Sequence, residues 1–145
     1  MFYQKRHLSE VHILKLDKDQ LLLESLTEFA NKMSINFAEI SFIGAVQNAK
    51  VMYFDQDKKE YLHHDFPKGH EVLSGTGNIS LLDGKPFVHV HIVLADKDGD
   101  AIGGHLDEGT KVWLIEAIIH QYSGDTESPI VRKFDDSICL NVWKD

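Results

Sequence analysis

The chain has one cysteine, Cys139, in 145 residues, so no intrachain disulfide can form. It has only three prolines, which argues against disordered linkers. Only two arginines occur, Arg6 and Arg132, and no basic run exceeds two residues. Polyanion binding depends on concentrated cations that displace phosphate counterions, with arginine the usual reader of guanine edges. A formal charge of −8, from 15 basic and 23 acidic side chains, is the opposite composition and weighs against nucleic acid as a partner. Long apolar runs are missing as well. The stretches present are shorter than a bilayer span and broken by charges, and the basic start MFYQKRHLSEV has no apolar segment behind it. These absences predict a soluble, cytoplasmic protein with no membrane partner.

What is present is enough chain for one domain, 1–145, able to bury roughly 70% of its unfolded surface. Residues 8–16 alternate as a strand. Leu22, Leu26, Phe29 and Met33 then recur at helical spacing, predicting a helix over about 19–33, with Asp17 and Gln20 resembling a capping box. Beyond it the period is two. Strands are predicted at 37–46 and 49–55, with Gly44 a bulge or close approach, and at 70–82 and 85–96 around the hairpin pair Asp83-Gly84. Another is predicted at 110–122, and IVRKF and SICLNVW close the chain, while 55–69 reads as a loop. One main helix packed on a mostly antiparallel β-sheet makes this an α+β protein.

The chemistry gathers in FVHVHIVLADKDGDAIGGHL, residues 87–106. Alternate residues of a strand share a face, so His89 and His91 point the same way, about 6.6 Å apart along the strand. That spacing lets two imidazoles meet one ion at the roughly 2.0–2.1 Å typical of zinc. The turn DKDGD can fold the chain back, bringing His105 alongside as a third ligand, with Gly103 and Gly104 permitting close backbone approach. Half-buried, hydrogen-bonded histidines would give the same pattern without a metal. Asp96, Asp98 and Asp100 imitate the start of a calcium loop, but Ala101 stands where the sixth-position glycine is required, leaving a solvated acidic turn.

Glu116 lies in a strand apolar on both sides and shares a face with Val112, Leu114 and Ile118. A carboxylate buried there needs a partner, Arg132 for example, or serves as a general base or a support for the histidines. Cys139 reads as a small core residue, and His63-His64 as exposed loop residues.

The runs LLESLTEFANK, IGAVQNAKVMYFD, LSGTGNIS and GKPFVHVHIVLADKDGDAIGGHLDEG together resemble the PPC domain (plants and prokaryotes conserved domain, DUF296), from about residue 5 to the C-terminus. The resemblance implies an antiparallel-sheet fold like that of acetolactate decarboxylase, whose zinc is held by histidines, and assembly as a homotrimer. It makes His89, His91 and His105 the metal ligands, with zinc or another divalent transition metal as cofactor. Prokaryotic members of this family are commonly labelled DNA-binding. The Arg-Gly-Arg-Pro AT-hook that precedes the domain in land plants does not occur here. Two readings follow: a trimeric regulatory zinc protein, or a zinc-dependent lyase or hydrolase acting on a small organic acid or ester, with Glu116 a catalytic candidate.

Overall fold

The computed structural model describes residues 1–124 and 128–144. The strands are β1 (His7–Leu16), β2 (Ala38–Asp55), β3 (Glu60–Phe66), β4 (His70–Leu82), β5 (Lys85–Ala95), β6 (Ala101–Leu106), β7 (Lys111–Ser123), β8 (Val131–Asp135) and β9 (Leu140–Lys144). Between β1 and β2 lies α1 (Leu22–Lys32). The strands form one sheet in the order β1-β7-β2-β6-β5-β4-β8-β9, with β3 added to β2 and a further β2–β4 pairing. Every pairing is antiparallel except β4–β8.

The sheet closes on itself through β2. Residues 38–46 of that strand pair with β4 and β7, and its later half pairs with β3 and β6. Since β4 joins β5 and β5 joins β6, the pairings β2-β4-β5-β6-β2 complete a circuit. The two strands predicted at 37–46 and 49–55 are thus one 18-residue element. Gln47 and Asn48 between them bend the strand: register shifts flank Val46, and both side chains tie to the neighbouring backbone, Gln47 donating to Val112 O and Asn48 to Gly109 O. Gly44 is the expected bulge. It has φ +143°, and a Cβ there would lie 2.1 Å from Leu114 O.

Inside the circuit the alternation of β5 is simple: Val88, Val90, Ile92 and Leu94 are buried, while Phe87, His89, His91 and Val93 face away. Each fully buried branched side chain contributes roughly 1.5–3 kcal/mol. The helix adds Leu22, Leu26 and Ala30 to the same core. It begins later than predicted. Gln20 Oε1 accepts a bond from Asp17 N at 2.6 Å and Gln20 N donates back to Asp17 O, so the pair shapes a turn ahead of the helix. Leu21, at the cap position, makes no capping bond and bridges to Lys111 instead.

Residues 60–66, read from sequence as loop, form β3, in register from Asp55↔Glu60 to Ala49↔Phe66. The strand lies off the main path of the sheet, paired with β2, and most of its residues are exposed. Its polarity is that of an edge strand. The Asp83-Gly84 hairpin is as expected, with both residues at positive φ, +51° and +76°.

Candidate metal centre

The β5–β6 turn sets the site. Asp96 Oδ1 accepts the backbone N–H groups of Asp98 (2.9 Å) and Asp100 (3.0 Å), and these bonds hold its carboxyl below the usual range. The acidic turn is satisfied by its own backbone. It returns β6 along β5 with His91 opposite His105. Gly103 makes this fit, since a Cβ there would meet Ile92 O at 2.3 Å.

Cross-strand register extends one face around the sheet. The pairs Ile13↔Ile118, Ser41↔Ile118, Ser41↔Thr76, Thr76↔His91, His91↔His105 and Met52↔His105 follow one another without a break. The adjacent row contains Val11, His120, Glu39, Asn78 and His89. The imidazoles of His89, His91 and His105 converge on this outer face. His89 Nε2 and His91 Nε2 are 3.2 Å apart, the three ring centroids are 4.8–5.4 Å apart, and one nitrogen from each ring lies within 4.8 Å of the others. Tetrahedral zinc with 2.0–2.1 Å bonds would separate two ligand nitrogens by about 3.3 Å. The donor set therefore fits a zinc-like ion with a position left for water or a ligand.

His89 is pushed down to about 4, first by burial and then by His105, Arg132 and His91. His105 is also pushed to about 4, by burial and His91, with Asp107 opposing. Both rings stay neutral at physiological pH, the form in which imidazole binds a metal. There is a stability consequence. Between the unfolded value near 6.5 and the folded value near 4, the unfolded chain takes up protons that the folded one refuses. Metal-free protein should therefore be most stable above pH 6.5 and lose stability as pH falls toward 4. Urea midpoints across that window check this, and a His105→Asn variant should show a shallower slope.

The triad opens into a pocket of about 680 Å3, bordered by Tyr61 on β3 and by Arg132, Phe134 and Asn141 on the β8–β9 hairpin. Arg132 is the polar anchor of its wall. Its Nε donates to Ser80 Oγ (2.8 Å), Nη1 to Asn141 O (3.0 Å) and Nη2 to Asn78 Oδ1 (2.8 Å), and Nη2 also lies 3.3 Å from His89 Nδ1. Phe87 and Trp143 flank the guanidinium at 5.2 and 5.7 Å.

Comparison with known proteins joins this geometry to the sequence pattern. The family model for the Plants and Prokaryotes Conserved (PCC, also PPC) domain matches residues 3–123. The chain belongs to the PCC-domain family. A metal-containing protein from Archaeoglobus fulgidus is 36% identical over 100% of both chains, with a TM-score of 0.92. A candidate DNA-binding protein from Bacteroides thetaiotaomicron is 22% identical over 96% of each chain, TM-score 0.84, and shares the fold. The α-acetolactate decarboxylase of Bacillus subtilis is 15% identical, covering 82% of this chain and 54% of its own, TM-score 0.56; it too shares the fold. None of the curated proteins matches the chain.

Within the PCC fold, Glu116 is not where its sequence context suggests. A bulge in β7 aligns Ala45 with Leu114 but Val46 with Val112, turning Val112 into the core and Leu114, Glu116 and Ile118 outward. Glu116 is exposed, in register with Lys15 on β1 and Ile43 on β2, and does not neighbour the β5 and β6 strands that carry the histidines. The Arg132 ion pair considered for it does not form, because Arg132 bonds to Ser80, Asn78 and Asn141. Cys139 is not a core residue either. It sits at φ +56° in the β8–β9 turn and borders the pocket. His63 and His64 are exposed as expected, though on β3, and His63 Nδ1 meets Asp107 Oδ2 at 2.6 Å. Sequence reasoning missed Arg132 as a pocket residue and Asn78 as the acceptor that holds it. Asn78 was within reach, being part of the GNIS run, whereas Arg132 arrives through a parallel β4–β8 pairing that has no local signature.

Proposed function

We propose that this PCC-domain protein is a homotrimer that binds one zinc ion per chain through His89, His91 and His105 and presents the open side of the ion to a small ligand. The observation that carries this reading is the convergence of three imidazoles at the border of an open pocket. The metal content of the 36%-identical relative supports it. Self-association is supported by the outer face, where Val11, Ile13, Ile43, Leu114 and Ile118 stand exposed on the three adjacent strands β1, β7 and β2. Apolar patches of this kind usually mark interfaces. Its role is regulatory, in the cytoplasm. Among the described residues no helix is long and apolar enough to cross a membrane.

Direct DNA contact is not part of the proposal. The chain has a charge of −8 and two arginines, one of them engaged in the pocket wall. The second reading, a zinc-dependent lyase or hydrolase acting on a small organic acid or ester, is favoured by the pocket beside the triad. Zinc there would polarise a carbonyl or activate water. Elemental analysis of protein purified without a histidine tag should give one zinc per chain, and sedimentation should give three times the chain mass. Protein that holds no zinc after loading and dialysis overturns the metal assignment, and a one-chain mass overturns the trimer.

A further inference from the structure

Arg132 is a half-buried cation with no carboxylate within ion-pair distance among the described residues; its partners are a hydroxyl, an amide oxygen, a backbone carbonyl and a ring nitrogen. Burial pulls its own pKa down, the mark of a charge short of compensation. The ring nitrogen is the informative partner. A guanidinium can only donate, so at 3.3 Å His89 Nδ1 has to accept, and the single proton of the neutral ring then sits on Nε2. From there it is shared with His91 Nε2 at 3.2 Å. This arrangement is self-consistent only without a metal.

A His89 that gives Nε2 to an ion carries its proton on Nδ1. The Nδ1–H and the Arg132 Nη2–H then face each other as two donors, and the contact between them becomes repulsive. Asn78 Oδ1 already takes the other Nη2 proton at 2.8 Å. Metal loading thus leaves two adjacent N–H groups without an acceptor. They lie beside a divalent charge, in a pocket bordered near them by Phe87, Phe134, Leu140 and Val142, with the carboxylates Asp107 and Glu108 following His105 on its far side. Two donors that repel each other beside a divalent ion are relieved by a carboxylate oxygen that accepts from both once they turn aside, and the apolar borders suit a short hydrocarbon tail.

We propose that Arg132 and His89 Nδ1 form a binding site for the carboxylate of a small organic acid, and that zinc at the triad switches this site on by moving the His89 proton from Nε2 to Nδ1. This rests on the zinc reading above and names the ligand class of the same site. Coupling is reciprocal, so the acid also tightens zinc.

The test is calorimetric titration of zinc-loaded and chelator-stripped protein with 2-oxo-3-methylbutanoate, with its neutral methyl ester and with inorganic phosphate. The acid should bind the loaded protein at least tenfold tighter than the stripped protein, and tighter than either the ester or phosphate. Arg132→Gln should abolish acid binding while retaining zinc. Because that change also removes bonds that hold the β8–β9 hairpin, Asn78→Asp provides the second arm. It keeps Arg132 in place but supplies an internal carboxylate, and should weaken the acid tenfold or more while raising zinc affinity in competition dialysis. Equal acid affinity with and without zinc overturns the coupling. Acid binding that survives both variants overturns the site, and phosphate or the ester binding as well as the acid overturns the carboxylate assignment. Zinc-loaded protein that takes no acid sinks this proposal alone, whereas protein that takes up no zinc sinks the metal reading beneath it.

Discussion

His89→Ala protein should emerge from dialysis with no stoichiometric zinc, and His105→Ala protein likewise. Among the described residues three monodentate imidazoles make up the proposed ligand set, and removing one leaves two nitrogens of a site that needs three for a defined geometry. Loss of a mere supporting contact commonly lowers metal affinity 10–100-fold, so loss of a ligand should exceed about 100-fold. The fold should persist. Both rings lie on the outer face of the sheet, opposite the core side chains Val88, Val90 and Ile92 of β5, and neither carries a backbone hydrogen bond of the sheet. Truncation removes ring–ring contacts and, at His89, one acceptor for Arg132, which retains three other partners. Far-UV circular dichroism should therefore match that of the wild type while elemental analysis does not. His63→Ala is the control: His63 touches Asp107 outside the triad, and its loss should leave one zinc per chain. Full metal content in either triad variant would refute the assignment.

The parts of this architecture written in local pattern were legible before any coordinates. The alternation of β5 fixed which face holds His89 and His91, Asp83-Gly84 fixed the β4–β5 hairpin, and the DKDGD turn with its glycine pair brought His105 into register with His91. Each is a matter of a few consecutive residues whose backbone preferences agree. The misreadings share a different cause. β3 looks like a loop because an edge strand exposed on most of its length has no apolar period to show. The bend at Gln47 and Asn48 looks like a break because side-chain amides, rather than apolar contacts, hold the strand through it. Glu116 seemed buried because one bulge in β7 reverses the faces of everything on one side of it, and the shift shows only against β2. Arg132 was beyond reach for a related reason, since β8 joins β4 in parallel some fifty positions away in sequence, through two register pairs only.

That same bulge gives the largest effect expected on assembly. By turning Leu114 and Ile118 outward it places them beside Ile13 and Ile43, which are 75% and 56% exposed in the single chain. Ile118 is in register with Ile13 on one side and Ser41 on the other, with no charged residue in that row of three strands. Ile118→Asp should therefore reduce the proposed trimer to single chains at micromolar concentration. In the isolated chain the aspartate would stand in water, 40% of the isoleucine it replaces being already exposed, so folding should change little. In an interface it would be a carboxylate without a cation, desolvated at several kcal/mol, and repeated at each symmetric contact. Lys15 is the nearest cation by register, one row away opposite Glu116, and its ammonium is held 2.6 Å from Asp17. Sedimentation velocity reads the result directly. A variant that sediments like the wild-type trimer would show that copies of the chain meet through some other surface, and the exposed row from Ile13 to Ile118 would then require a different partner.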